Sequence, residues 1–342
     1  MSQIDSLRIV KIYRRIGLIT CSSVFLLFLL GGLVRATGSG MGCPDWPKCF
    51  GLFAPPTCEC ELPSNYQEIF KAKREKKVAK FLKTLRAFGM NEKADLIAAD
   101  KNLYIQHKFD PIKAWIEYIN RLFGVLSGLL AVLILGLTLL NQSLKPARLW
   151  AILGFVLLIL NAWLGSIVVT TNLLPGIVSL HFLLSFLCLF AFIMSIEQVA
   201  PVLYKHNQGS QFNWRLLFWV VFVVVLLGTW SREQVDILKN TNSLYLEGNS
   251  NGILNFPGMG LAFVIHRYVP GIILIWAIYQ YFKLKSFHLG FLATLSLLQI
   301  CLGAIHIVYV VPSWTQIGHV VLGSALLTYS FLVLISYKKE KI

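Results

Sequence analysis

The sequence predicts an all-α membrane protein of about eight transmembrane helices, arranged as two four-helix bundles related by a pseudo-two-fold axis, with both termini cytoplasmic. Three observations predict it. Of the 342 residues, 56% are apolar and only 14% are charged, where a soluble domain carries about 25% charged residues. Long windows without Asp, Glu, Lys or Arg recur along the chain. The two halves repeat the same polar landmarks in the same order. In such a chain the net charge of +15 reads as membrane orientation and contact with anionic lipid, not as nucleic-acid binding.

A span needs roughly 20 mostly apolar residues, because the hydrocarbon core is about 30 Å thick and a helix rises ~1.5 Å per residue. The windows 16–34 and 122–140 qualify. The window 149–196 is double length, and Thr170, Thr171, Asn172 and Pro175-Gly176 divide it. The windows 212–230 and 260–282 give two more, and 286–337 is divided at Pro312-Ser313. Lys11, Arg14, Arg15, Lys145, Arg148, Lys205, Arg215, Lys283, Lys285, Lys338, Lys339 and Lys341 all fall on one side of these spans. That side is expected to be cytoplasmic. The first apolar segment lacks a small-residue cleavage site and reads as a retained helix. With no Arg/Ser-rich leader, the expected location is a bacterial plasma membrane, crossed many times.

The repeat aligns 31–35 with 228–232, 119–121 with 265–267, and 161–165 with 299–303. It also pairs His181 with His319. The expected organisation is residues 1–35 as terminus and first helix, 36–113 as an enlarged outer loop, 114–200 as the rest of one bundle and 201–342 as the other. In the loop, Val78, Phe81, Leu82, Leu85 and Phe88 follow helical spacing among many Lys and Arg. This predicts a basic amphipathic helix, lying on the membrane surface or packed on its own loop.

Four of the seven His fall in spans: His181, His266, His306 and His319. Ionisable groups in spans are costly and face the bundle interior. His181, His266 and His319 each lie about two turns into a helix that enters from the outer side, as do Glu117 and Asn120. Facing His at one depth can hold a haem iron; the alternative is a pair satisfied by hydrogen bonds. His306 has Val168 at its matching place and reads as a supporting residue. His107, His206 and His288 are expected at the surface. Arg35, Arg121, Arg232 and Arg267 gather at the outer end, where they fit haem propionates or interfacial snorkelling. Glu117 has only Phe263 as counterpart. A carboxyl so placed is a candidate acid or base, or the partner of Arg121 one turn away.

Of the seven Cys, Cys21, Cys188 and Cys301 lie in spans as packing residues. Cys43 and Cys49 bracket Pro-Asp-Trp-Pro-Lys, a stiff turn expected to bring the two sulfurs into a disulfide. Cys58 and Cys60 are one residue apart, awkward for a mutual bond, which leaves pairing elsewhere, exchange or metal binding open.

The segment 31–40 followed by Cys43-Pro44-Asp45-Trp46-Pro47-Lys48-Cys49 resembles the heme A synthase family, as do 117–121, 228–236, His266-Arg267 and His319. The resemblance implies eight helices, a haem b (iron) cofactor between His266 and His319, and haem o as substrate in the N-terminal half. There the C8 methyl becomes a formyl group, giving haem A for cytochrome oxidase. It also implies Glu117 as catalytic group, His181 as substrate-haem ligand, Cys43–Cys49 as the family's cysteine pair and haem O synthase as metabolic partner. Asn120 departs from the family, which has His there. That leaves the substrate haem held by His181 alone, with Asn120 on its open face. The readings beside the enzyme are a non-catalytic di-haem cytochrome b passing electrons from quinol, and a haem-carrying assembly factor. The electron donor is unnamed by the sequence, and a homo-oligomer is left open.

Overall fold

The structure, a computed structural model, describes residues 3–99, 108–171, 176–203, 211–241, 260–308 and 312–337. The loop landmarks Asn172 and Pro175, the surface His107 and His206, and Lys205, Lys338, Lys339 and Lys341 lie outside them. Among the described residues ten α-helices follow in order: α1 (Gln3–Ala36), α2 (Tyr66–Ala87), α3 (Asn91–Ala99), α4 (Pro111–Leu140), α5 (Arg148–Thr170), α6 (Ile177–Glu197), α7 (Gln211–Thr241), α8 (Gly260–Leu284), α9 (Phe287–Val308) and α10 (Ser313–Ser336). No strand occurs among the described residues. All except α2 and α3 are long and apolar enough to cross a membrane, eight in all among the described residues.

The spans close into two rings. In the first, α1 packs on α4, α4 on α5, α5 on α6 and α6 on α1. In the second, α7 packs on α8, α8 on α9, α9 on α10 and α10 on α7. The rings meet where α1 lies on α10 and α6 on α7. Aromatic side chains line this seam: Phe190 of α6 stacks on Phe331 of α10 at 4.3 Å and meets Phe218 of α7 edge-on, while within the first ring Phe28 of α1 stacks on Phe186 of α6 at 4.6 Å. Offset and edge-on pairs of this kind add about 0.5–1.5 kcal/mol beyond area burial. Small residues let helices approach closely, as is usual in lipid. A Cβ at Gly17 would lie 2.6 Å from Ile196, and one at Gly154 would lie 2.8 Å from Phe192.

Helix α4 starts eleven residues before its charge-free window. Pro111 occupies its first turn and Asp110 caps it, accepting from Lys113 N at 3.1 Å. Its polar first turns are satisfied by the outer loop. The disulfide Cys43–Cys49 forms as expected, with both residues fully buried. They pack with Phe50, Tyr66, Phe70 and Ala114 in a small core of the loop's own. Helix α2 uses its apolar face here and against α3, where Val78, Leu82 and Ala94 form a second small core. Loop packing is thus satisfied by Val78 and Leu82, with Phe88 left exposed. Cys58 bonds Cys60 despite the single residue between them, with Cα atoms 5.2 Å apart. The tight turn at Glu59–Glu61, in which the intervening Glu59 lies, provides that spacing.

The loop is pressed against α4 so closely that a Cβ on Gly42 would lie 2.5 Å from the Lys113 carbonyl. Gly42→Ala is expected to cost about 1–3 kcal/mol of docking and to speed proteolysis of the outer loop in the folded protein; a wild-type cleavage rate would contradict this close approach.

Candidate functional site

Three histidines sit in one repeated setting. Each lies in the second turn of its helix, and each ring rests against a glycine of a neighbouring helix. His266 on α8 faces Gly228 on α7, His181 on α6 faces Gly165 on α5, and His319 on α10 faces Gly303 on α9. A Cβ at Gly228 would lie 2.5 Å from His266 Cε1, and one at Gly165 would lie 3.2 Å from His181 Cε1. At Gly303 the same distance to His319 is 3.6 Å. Glycine at these places leaves the room that the imidazole occupies.

The glycine also sets the ring's hydrogen bond. His266 Nδ1 donates to the Val224 carbonyl at 2.9 Å, four residues before Gly228. That fixes the tautomer and leaves Nε2 as a lone-pair donor for a metal. Asn161 and Gln299 stand in the same relation to Gly165 and Gly303. Their backbones lie beside His181 and His319. Among the described residues Nδ1 of both rings is buried without a hydrogen bond. The side chains of Asn161 and Gln299 brace the same helix pairs. Asn161 donates to Ser185 Oγ at 2.8 Å, and Ser185 donates to the His181 carbonyl. Gln299 donates to the His319 carbonyl at 2.9 Å.

His266 and His319 face each other across the second ring, with ring centroids 6.0 Å apart and planes 77° apart. Two imidazole–metal bonds of about 2.0 Å each, with the half-width of each ring, fill about that distance. The donor set therefore fits a haem iron, which asks for one or two protein ligands. Among the described residues no three His, Cys, Asp or Glu converge as a metal-only centre needs. His306 comes within 5.0 Å of the His319 ring, centroid to centroid, and its Nε2 is buried and unbonded among the described residues. His288, expected at the surface, instead bonds Tyr329 Oη at 2.8 Å.

The first ring differs at its fourth position. Asn120 is half-buried on α4, where the repeat has His266. Gly31, the counterpart of Gly228, has nothing within 4 Å of a built Cβ. The space that an imidazole takes in one ring is open in the other.

Glu117 is 3% exposed. Its Oε2 accepts from Cys43 N at 2.9 Å and its Oε1 pairs with Arg121. Arg121 donates onward to the carbonyls of Asp45, Lys48 and Cys43. The pair thus clamps the disulfide loop to α4. From α2, the buried guanidinium of Arg74 adds positive charge near Glu117; desolvation holds its pKa below the usual arginine value against the opposing pull of that carboxylate. Arg74 was not singled out by periodicity, because it sits on the apolar face of a basic helix. The other arginines diverge. Arg232 donates to Gln316 at 3.1 Å, Arg267 is exposed over the Tyr268 ring, and Arg35 is half-buried at the end of α1.

Residues 14–84 and 90–331 match the model of the COX15-CtaA family, described as cytochrome oxidase assembly protein. A protein of Shewanella oneidensis strain MR-1 named Heme A synthase is 26% identical over 350 residues, which cover 93% of this chain and 94% of that protein. Eight apolar spans and this relationship make the molecule a multi-pass protein of the bacterial plasma membrane. The match runs through both helical rings and most of the outer loop, and the chain belongs to the COX15-CtaA family of cytochrome oxidase assembly proteins.

Proposed function

We propose that this protein is a haem A synthase, which oxidises the C8 methyl of haem o through the alcohol to a formyl group. The observation that carries the reading is the opposed pair His266 and His319, with His266 held by the Val224 carbonyl and its Nε2 left free. The relative's name, Heme A synthase, supports it. The two rings are read as related by a two-fold axis along the membrane normal, one holding cofactor and the other substrate. Haem b, when bound between His266 and His319, supplies a redox centre beside the substrate bundle.

The N-terminal ring binds haem o through His181, whose ring is seated on Gly165. Asn120 and the open space at Gly31 leave the opposite face without a second imidazole. Glu117 brings the one carboxylate that the C-terminal ring lacks. Its oxygens are held by Cys43 N and Arg121, so its position is fixed before substrate arrives. It serves as the acid or base near the methyl group, while Cys43–Cys49 stiffens the loop that holds it. Arg35, Arg232 and Arg267, with Arg121 already committed to the loop, supply positive charge for propionates. A second reading, a haem carrier without chemistry, is favoured by Asn120 alone.

Haems extracted from cells expressing the protein with a haem O supply should include haem A or its alcohol precursor; haem b alone would leave the carrier or a di-haem cytochrome. Glu117→Gln keeps an acceptor for Cys43 N and should abolish haem A while the outer loop stays docked. Wild-type haem A output from Glu117→Gln, with loss only in Glu117→Ala, would reduce Glu117 to an anchor. In optical spectra of the haem o complex the wild type should show a five-coordinate substrate haem, and Asn120→His should convert it to the six-coordinate form. Bis-imidazole ligation in both rings of the wild type would overturn the single-ligand reading.

A further inference from the structure

Helix α6 carries His181 but does not cap itself. Its N-cap is Gly176, at φ +83, which has no side chain to offer. The first backbone N–H groups of a helix need acceptors, and a cap normally comes from the residue at the N-cap itself. Here it comes from the other half of the molecule. Glu233 on α7 is 2% exposed. Its Oε2 accepts from Gly176 N at 2.8 Å. Its Oε1 accepts from Ser179 N at 3.0 Å and from Ser179 Oγ at 2.9 Å. The Ser179 hydroxyl also meets Thr229 Oγ1 of α7 at 3.0 Å. One carboxylate therefore does what a cap residue and its third-position partner do together elsewhere, and its charge suits the positive end of the α6 dipole.

The location matters as much as the bonds. His181 is two residues past Ser179, within a turn of the clamp. Glu233 is five residues past Gly228, the glycine against which His266 lies. Five residues turn a helix by about 140° beyond a full circle, so α7 presents Gly228 to α8 and Glu233 to α6 from different faces. A single helix thus touches the histidine of one ring and the root of the histidine helix of the other. The α1–α10 contact offers no equivalent, because Ala36 stands where the repeat would put the carboxylate.

We propose that Glu233 is a positioning residue for the N-terminal site: by capping α6 from α7, it fixes the height and rotation of His181 relative to the cofactor ring. This rests on the reading of His181 as the ligand of haem o. The test uses the full-length protein in detergent, loaded with haem b, as wild type, Glu233→Gln and Glu233→Ala. Haem o is titrated in and followed optically, and amide exchange is read across 176–181. Glu233→Ala should weaken haem o binding by about tenfold or more, the scale of one lost charge-assisted hydrogen bond. Glu233→Gln, which keeps one good acceptor, should weaken it less. Haem b content should be unchanged, and exchange should accelerate in both variants. Unchanged haem o binding or unchanged exchange overturns the assignment. So does parallel loss of both haems from Glu233→Gln, the mark of a general packing residue, and that variant decides alone if Glu233→Ala does not accumulate. A wild type that takes no haem o overturns the reading of the N-terminal site instead, and the exchange at 176–181 then still decides whether Glu233 holds α6.

Discussion

In hydrocarbon a polar group has no water to fall back on, so each must find its partner within the protein. The seating of imidazoles against glycines is the arrangement on which the rest depends. Without a Cβ at Gly228 the His266 ring comes close enough to α7 to reach a carbonyl that the helix is already using. The same backbone offset recurs at Gly165 and Gly303. Each ring is thereby held close against its helix neighbour, and in His266 the Nδ1 is bonded to it. Ring-like packing of four helices, with α1 on α10 and α6 on α7 between the rings, then sets the two interiors side by side.

The outer loop obeys the same constraint from the other direction. Glu117 and Arg121 enter the structure before the hydrophobic stretch of α4 has begun, and their charges are spent on the loop and on each other. The consequence is a lid-side layer whose backbone carbonyls are gathered by one guanidinium. Arg74 brings a further buried cation from α2, so Glu117 has two guanidinium groups in its neighbourhood.

Much of this was legible in the residues. Windows with little or no charge located the spans, because lipid excludes unpaired charge whatever the tertiary packing. The repeat singled out His181, His266 and His319, and each of the three rings lies against a glycine of a neighbouring helix. What the sequence left unread was anything decided by contact between distant segments. The apolar spacing of the basic helix did not name its partners, and the contacts with Ala94 and Phe50 supply them. Glu233 stood inside a recognised motif, yet its meaning needed the neighbouring helix start, since a cap delivered from another helix leaves no local pattern. Cys58 and Cys60 looked awkward to bond, because spacing alone does not reveal the tight turn at Glu59.

The small core around Cys43 and Cys49 is completed by Ala114, and its loop is latched by Glu117, both from the helix that follows. During synthesis that loop emerges after α1 and before α4. Its packed form, whatever the order in which the sulfurs join, therefore waits for the second span to be made. Arrival of α4 supplies the last wall of that small core, so completion of the first ring is ordered in time by residues that serve its finished form.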